Sequence, residues 1–277
     1  MGRIFKKLLI GVIVLGLAGA VFVYLKQRAN PSIKKLKVSG TIEATEVRLS
    51  FRIPGKIKEL LTDEGREVKT GDIVAVQDTD ELVKIKAQAE ASLRAAQFNY
   101  ERARDDHARL ENLLQAGSIS VQKRDTAKTA ADAAQANVEA FKATLELADT
   151  RLGFAELVSS IDGFVIIKSA EAGEVVQSGA PVFTVADLKN IWLTAYINEI
   201  DLGRVKPNQA VDVKTDTYPD KVYRGRISFI SQEAEFTPKQ IQTTEERVKL
   251  VYRIKVMIDN TGLELKPGMP ADGYIIE

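Results

Sequence analysis

Five residues, Gly55, Gly65, Val68, Gly71 and Val74, recur as Gly163, Gly173, Val176, Gly179 and Val182, every pair 108 positions apart and without a gap. In each copy an extended apolar piece comes first: Lys56 and Ile57, then Phe164 to Ile167. An acidic glycine turn follows, at Glu64 to Glu67 and at Ala172 to Glu174. A second glycine turn then leads into a short strand, Asp72 to Gln77 and Ala180 to Val185. Glycine reaches positive φ without a Cβ penalty, so the glycine spacing sets where the strands reverse. A copy of roughly 28 residues cannot bury its own apolar face; two copies facing each other form a small sandwich.

Between the copies the apolar period lengthens. From Asp80 to Leu114 one face carries Leu82, Lys86, Ala89, Leu93, Ala96, Tyr100, Ala103, His107, Leu110 and Leu114. From Thr126 to Ala155 the same stepping gives Ala127, Ala131, Ala134, Val138, Phe141, Leu145, Ala148, Leu152 and Ala155. Alternate steps of four and three define a heptad seam in each of two helices, and the alanines permit close antiparallel approach. Gly117 and Ser118 supply the reversal, with glycine at the helix C-cap, and Ser120 is placed to N-cap the return helix. Each arm would extend about 45–50 Å. Two helices alone cannot bury all their faces, so such a hairpin should seek neighbours. His107, the single histidine, lies on the seam. With no second His or Cys nearby it reads as a half-buried polar residue rather than a ligand or a pH-sensitive group.

Leu8 to Leu25 is an 18-residue run without a charge. As a helix of about 27 Å it can cross a bilayer core, with Lys7 and Lys26 snorkelling at its ends. The rival reading is a cleaved signal peptide, because Ala18-Gly19-Ala20 resembles a cleavage site; the apolar Val21 to Leu25 beyond it favours an uncleaved anchor. Residues 1–37 hold eight Lys/Arg and no acid, which leaves the remaining 240 residues with a net charge of −7. An acidic body argues against nucleic acid as partner, and a basic end around an apolar run suits a membrane surface. Counted alone, the flanking charges favour the opposite orientation; large domains translocate largely regardless of charge, so the N-terminus is read as cytoplasmic.

From Leu188 onward alternation returns. Ile191, Leu193, Ala195 and Ile197 alternate, as do Val248 to Ile258; shorter strands are expected at Ala210 to Lys214, Tyr223 to Ile230 and Gly273 to Ile276. Polar outward positions suggest an antiparallel barrel or sandwich. Val47, Leu49, Phe51 and Ile53 form an early strand expected to return and pair with this region. Glu233 to Arg247 breaks the pattern and reads as a long loop. The fold class is therefore mixed α+β and elongated: a split β-sandwich with an inserted antiparallel coiled-coil hairpin, an antiparallel β-barrel after it, and an N-terminal transmembrane helix. The divisions fall at 1–7 for a cytoplasmic tail, 8–25 for the anchor and 26–51 for a linker and first strand. The sandwich halves occupy 52–79 and 153–187, the hairpin 80–152 and the barrel 188–277.

Little here suits an enzyme. No cysteine is present, so disulfides, thiolate nucleophiles and zinc ribbons are excluded, and one histidine makes a His-based metal centre or a Ser-His-Asp set implausible. No cofactor is expected. Asp105 and Asp106 read as solvated, Asp78 and Asp80 as helix caps. No Gly-x4-Gly-Lys-Ser/Thr loop occurs, so the chain should not bind ATP.

The order of anchor, half-repeat, hairpin, half-repeat and barrel resembles the HlyD-type membrane fusion proteins, periplasmic adaptor subunits of bacterial efflux and secretion systems. The stretches that carry the resemblance are RIPGKIKELLTDEGREVKTGDIVAVQD, SIDGFVIIKSAEAGEVVQSGAPVFTVAD and LKPGMPADGYI; EFTPKQIQTTEERVKLVYRIKV is similar to the YbhG-like branch. The repeats look like halves of a biotinyl/lipoyl domain, with Gly55, Gly65, Gly71, Gly163, Gly173 and Gly179 as its structural glycines. About 75 residues of helix occupy the place where a true carrier would display its modified lysine, which argues against that role. Members of the family that dock a TolC-like outer-membrane channel share Arg-x3-Leu-x6-Ser at the hairpin tip, and Arg109, Leu113 and Ser120 stand at that spacing. The resemblance implies a non-enzymatic adaptor in the inner membrane with its body in the periplasm. It further implies a ring of six copies, an inner-membrane transporter (ABC-type rather than proton-driven) and a TolC-like channel as partners. The competing reading is a membrane-anchored structural coiled-coil envelope protein without a transporter.

Overall fold

The structure, a computed structural model, describes residues 35–236 and 250–276. The tail and anchor expected at 1–7 and 8–25, and most of the loop expected at 233–247, lie outside the described residues. No helix among the described residues is long and apolar enough to cross a membrane. Two units divide the chain, Ala44–Lys189 on one side and Met1–Glu43 with Asn190–Glu277 on the other. Two long strands, β1 (Lys35–Ser50) and β8 (Pro181–Asn198), contribute to both.

In the first unit the strands are β2 (Gly55–Leu60), β3 (Glu67–Val68), β4 (Ile73–Gln77), β5 (Glu156–Val158), β6 (Gly163–Lys168) and β7 (Val175–Val176), with the start of β8. Strands of one repeat pair with strands of the other: β2 with β7 through Gly55 opposite Val176, and β3 with β6 through Val68 opposite Gly163. The core repeats with the sequence. Ile57 and Val165, Val68 and Val176, Val74 and Val182, and Ala75 and Phe183 are all buried in one cluster, so each copy supplies the apolar face that the other lacks.

The repeat glycines divide by mechanism. Gly65, Gly71, Gly173 and Gly179 have φ of 79°, 94°, 94° and 80° with open space around them, and their role is the backbone turn. Gly55 and Gly163 begin strands instead. A Cβ on Gly163 would lie 2.4 Å from the Ala186 carbonyl oxygen, and one on Gly55 would lie 2.9 Å from the side chain of Gln77. At those two positions glycine answers to close packing, not to a turn. Gln77 itself is buried and donates its amide N–H to the Ile53 carbonyl at 3.1 Å.

The insertion between β4 and β5 is two helices, α1 (Asp80–Gln115) and α2 (Val121–Gly153). They run antiparallel, as the cross-helix pairs Lys86–Asp149 at 2.6 Å and Glu111–Arg124 at 3.5 Å show. At the base, Gln77 N donates to the Ala155 carbonyl and Asp78 N to the Lys56 carbonyl, each at 2.9 Å. These bonds clamp both helix ends onto the sandwich. The Asp78 carboxylate also accepts the Asp80 N–H at 3.0 Å and caps α1.

The second unit is a closed barrel. Its strand order runs β1, β13 (Pro270–Ile276), β9 (Ala210–Thr215), β10 (Tyr218–Ile230), β12 (Leu250–Asp259) and β8, which returns to β1, while β11 (Glu235–Phe236) extends the sheet beside β12. Closure leaves the six strands with no free edge. Its interior is aliphatic, with Ile42, Leu193, Val213, Ile227, Ile254 and Ile275 each fully buried. Gly40 lets two strands meet: a Cβ there would lie 1.9 Å from the Thr194 carbonyl oxygen. One expectation is corrected. The segment that reaches β13 is Lys35 to Thr41, whereas Leu49 and Phe51 belong to the sandwich core, because β1 continues from one unit into the other. A 3-10 helix at Glu199–Arg204, which alternation does not reveal, follows β8.

Candidate functional site at the hairpin tip

The reversal at the far end of the hairpin is a Schellman turn. Gly117 has φ of 68°, Ser118 N donates to the Leu113 carbonyl at 2.9 Å, and Gly117 N donates to the Leu114 carbonyl at 2.8 Å. Ser120 then takes the extended conformation of an N-cap, and its hydroxyl accepts the Lys123 N–H at 3.4 Å. The turn is held by backbone bonds and one hydroxyl, which leaves the neighbouring side chains free to face outward.

Arg109 and Leu113 lie four residues apart on one flank of α1, so their side chains are neighbours. The Arg109 side chain is 71% exposed and pairs with Asp106 at 3.5 Å, its one ion pair among the described residues. Leu113 is 39% exposed, and Val121, at the start of α2, is 55% exposed. Ser120 is exposed across the turn. The tip thus presents a guanidinium, a hydroxyl and two apolar side chains to solvent. Val121 had no signal in the spacing, because an apolar residue at a helix start reads as a packing residue.

Behind the tip, Arg124 of α2 pairs with its neighbour Asp125 at 3.0 Å and reaches Glu111 on α1 at 3.5 Å, and the second contact ties the two helices together. His107 is half-buried on the seam, and its Nε2 is buried without a hydrogen-bond partner. No group of His, Cys, Asp or Glu among the described residues could hold a metal.

A second concavity, of ≈ 710 Å³, opens on the sandwich beside Lys58, Asp63, Arg66, Lys168 and Glu171. Lys168 pairs with Glu171 at 2.9 Å and with Asp63 at 3.5 Å. The Glu171 carboxylate raises the Lys168 ammonium, while the Glu64 N–H and Lys168 hold the Asp63 carboxyl below its usual range. Lys168, Asp63 and Glu171 are therefore engaged with one another at its wall.

Comparison with known proteins agrees with this architecture over most of the chain. Residues 45–187 match the profile of the CzcB-like barrel-sandwich hybrid domain, and residues 191–272 match that of the YknX-like β-barrel domain. A UPF0194 membrane protein of Yersinia enterocolitica is 28% identical, covering 96% of this chain and 97% of its own. MacA from Actinobacillus actinomycetemcomitans superposes with a TM-score of 0.60 at 25% identity, over 88% of this chain and 79% of its own. ZneB from Cupriavidus metallidurans gives 0.55 at 25%, over 88% and 99%. The membrane fusion protein Spr0693 from Streptococcus pneumoniae R6 shares the fold with a TM-score of 0.70 at 18% identity, over 87% and 98%.

Proposed function

Since the chain belongs to the HlyD-type membrane fusion proteins, with a CzcB-like barrel-sandwich hybrid and a YknX-like barrel, we propose that it serves as a periplasmic adaptor between an inner-membrane exporter and an outer-membrane channel. Residues 8–25 anchor it in the inner membrane, and its body lies in the periplasm. The hairpin docks a TolC-like channel through Arg109, Leu113 and Ser120, and the copies assemble as a ring of six whose hairpins pack as coiled coils. The exporter is ABC-type, so nucleotide hydrolysis by the partner supplies the energy. The adaptor itself catalyses nothing and carries no cofactor.

The observation that carries this reading is the tip. A helix of 36 residues, about 54 Å long, is clamped at its base and displays an exposed arginine and leucine at its far end. A structural hairpin has no need of either. Arg109 can donate a fork of hydrogen bonds to carboxylates or carbonyls of a channel, and Leu113 offers an apolar knob. Arg109→Asp reverses the charge at an exposed site, so folding and membrane anchoring should be intact while cross-linking to the channel is lost. Unchanged cross-linking would remove the docking role. The neighbouring genes test the exporter class: an adjacent ATP-binding protein and permease support it, and an adjacent proton-driven pump redirects it. Purification from native membranes without any permease or channel would favour a structural envelope protein instead.

A further inference from the structure

Ile200, on the 3-10 helix that follows β8, is 88% exposed, more than any other large apolar side chain among the described residues. Its place in the barrel is fixed by β1. The Trp192 indole N–H donates to the Glu43 carboxylate at 3.1 Å, and Gly40 lies against Thr194 and Ala195. These contacts step antiparallel along β1 and β8. Continued to the start of β1, the same register brings Lys35 level with Ile200 at one rim of the barrel. Asn198 pairs with Val251 there, which sets Tyr196 and Leu250, 38% and 37% exposed, beside the same rim. Glu199 and Lys206, on the connection that carries Ile200, are both exposed and of opposite sign.

We infer that this rim touches the phospholipid surface, with Ile200 inserted at the boundary between headgroups and acyl chains. The apolar run ends at Leu25, ten residues before Lys35. Fully extended, that stretch spans at most about 35 Å, so the chain delivers the Ile200 rim to the membrane that holds the anchor. Burying one isoleucine side chain favours the inserted state about tenfold or more, and the tether makes insertion an intramolecular step. One fully exposed side chain between two half-exposed ones is far short of the roughly 800 Å² per partner that a stable protein interface buries. A lipid boundary sets no such minimum, and a tyrosine is at home at headgroup level. Zwitterionic headgroups also offer a partner to both Glu199 and Lys206, whereas a protein socket would have to match each charge as it buried it. The contact gives the barrel a second point of attachment, which restrains its rotation about the tether. The inference rests on the adaptor reading only in taking residues 8–25 as the anchor.

The chain has no cysteine, so one introduced cysteine can carry a fluorophore. Gly203 ends the same 3-10 connection, and a Cβ there meets nothing within 4 Å, so Gly203→Cys reports on the rim while Ile200 stays native. The labelled full chain is reconstituted in vesicles of phosphatidylethanolamine and phosphatidylglycerol, with and without lipid bearing a nitroxide high on its acyl chain. The Gly203→Cys reporter should lose about half its emission to the nitroxide. A reporter at Asp220→Cys, exposed beyond the opposite rim, should keep its own. Adding Ile200→Glu should bring the Gly203→Cys reporter to the Asp220→Cys level, and adding Ile200→Leu should leave it quenched; Ile200 packs on nothing, so the barrel stays folded in both. Equal emission from the two reporters would overturn the inference, as would quenching that survives Ile200→Glu. Shielding of the Gly203→Cys reporter that appears only when the exporter is added would overturn it in favour of a protein socket. A chain that does not float with the vesicles defeats the anchor and the inference together, whereas a floating chain with an unquenched reporter defeats the inference alone.

Discussion

Gly163 and Gly173 occupy different places in the repeat and resist substitution for different reasons. Alanine at 163 would force its Cβ to 2.4 Å from the Ala186 carbonyl oxygen, and the strands cannot separate without losing a ladder bond. Alanine at 173 meets nothing within 4 Å and must only adopt a φ of 94°. Gly163→Ala should therefore cost about 3 kcal/mol, and Gly173→Ala about 1–2 kcal/mol, measured by denaturant unfolding. Tyr223 offers a second residue-scale test. Burial pushes its phenol up to about 12, aided by the Glu264 carboxylate, which accepts a hydrogen bond from the hydroxyl at 2.8 Å. The folded value exceeds the ordinary 10.0, so this contribution to stability is complete below pH 10 and is lost as pH rises toward 12. Absorbance at 295 nm should show one tyrosine ionising late, and Tyr223→Phe should remove that late step.

At the scale of elements, the helices approach through small residues. Ala89, Ala96, Ala131 and Ala148 are the buried residues of α1 and α2. Ala96→Leu should push the helices apart and destabilise the hairpin by about 1–3 kcal/mol, read as a lower melting temperature in circular dichroism at 222 nm. The seam was legible because steps of four and three have one physical meaning in a helix. The exposure of Phe141 was not. It stands on the seam by spacing, yet the structure leaves it 39% exposed at the edge of a groove, since alanines that let backbones close in leave a large ring little room between them.

At the scale of the whole molecule, the hairpin is an insertion into a sandwich that has its own closure. Val76 already pairs with Glu156, and Gln77 N already bonds the Ala155 carbonyl. Replacing 80–152 by a two-residue Asn-Gly turn should convert β4 and β5 into a simple hairpin and leave the β-structure folded, with helical ellipticity lost and near-ultraviolet signals kept. Collapse of both would mean that the sandwich needs its helices.

The amino-acid sequence by itself determined the repeat, the helical period between its copies, the glycine turn that reverses the hairpin and the barrel-forming alternation. Each is a local pattern whose spacing has one cheap backbone solution. Only the tertiary structure decided that Gly55 and Gly163 answer to close packing, that β1 serves two units, and that Phe141 is left at the edge of a groove. Those depend on which atoms from distant parts of the chain come to share a volume, and no local spacing encodes that.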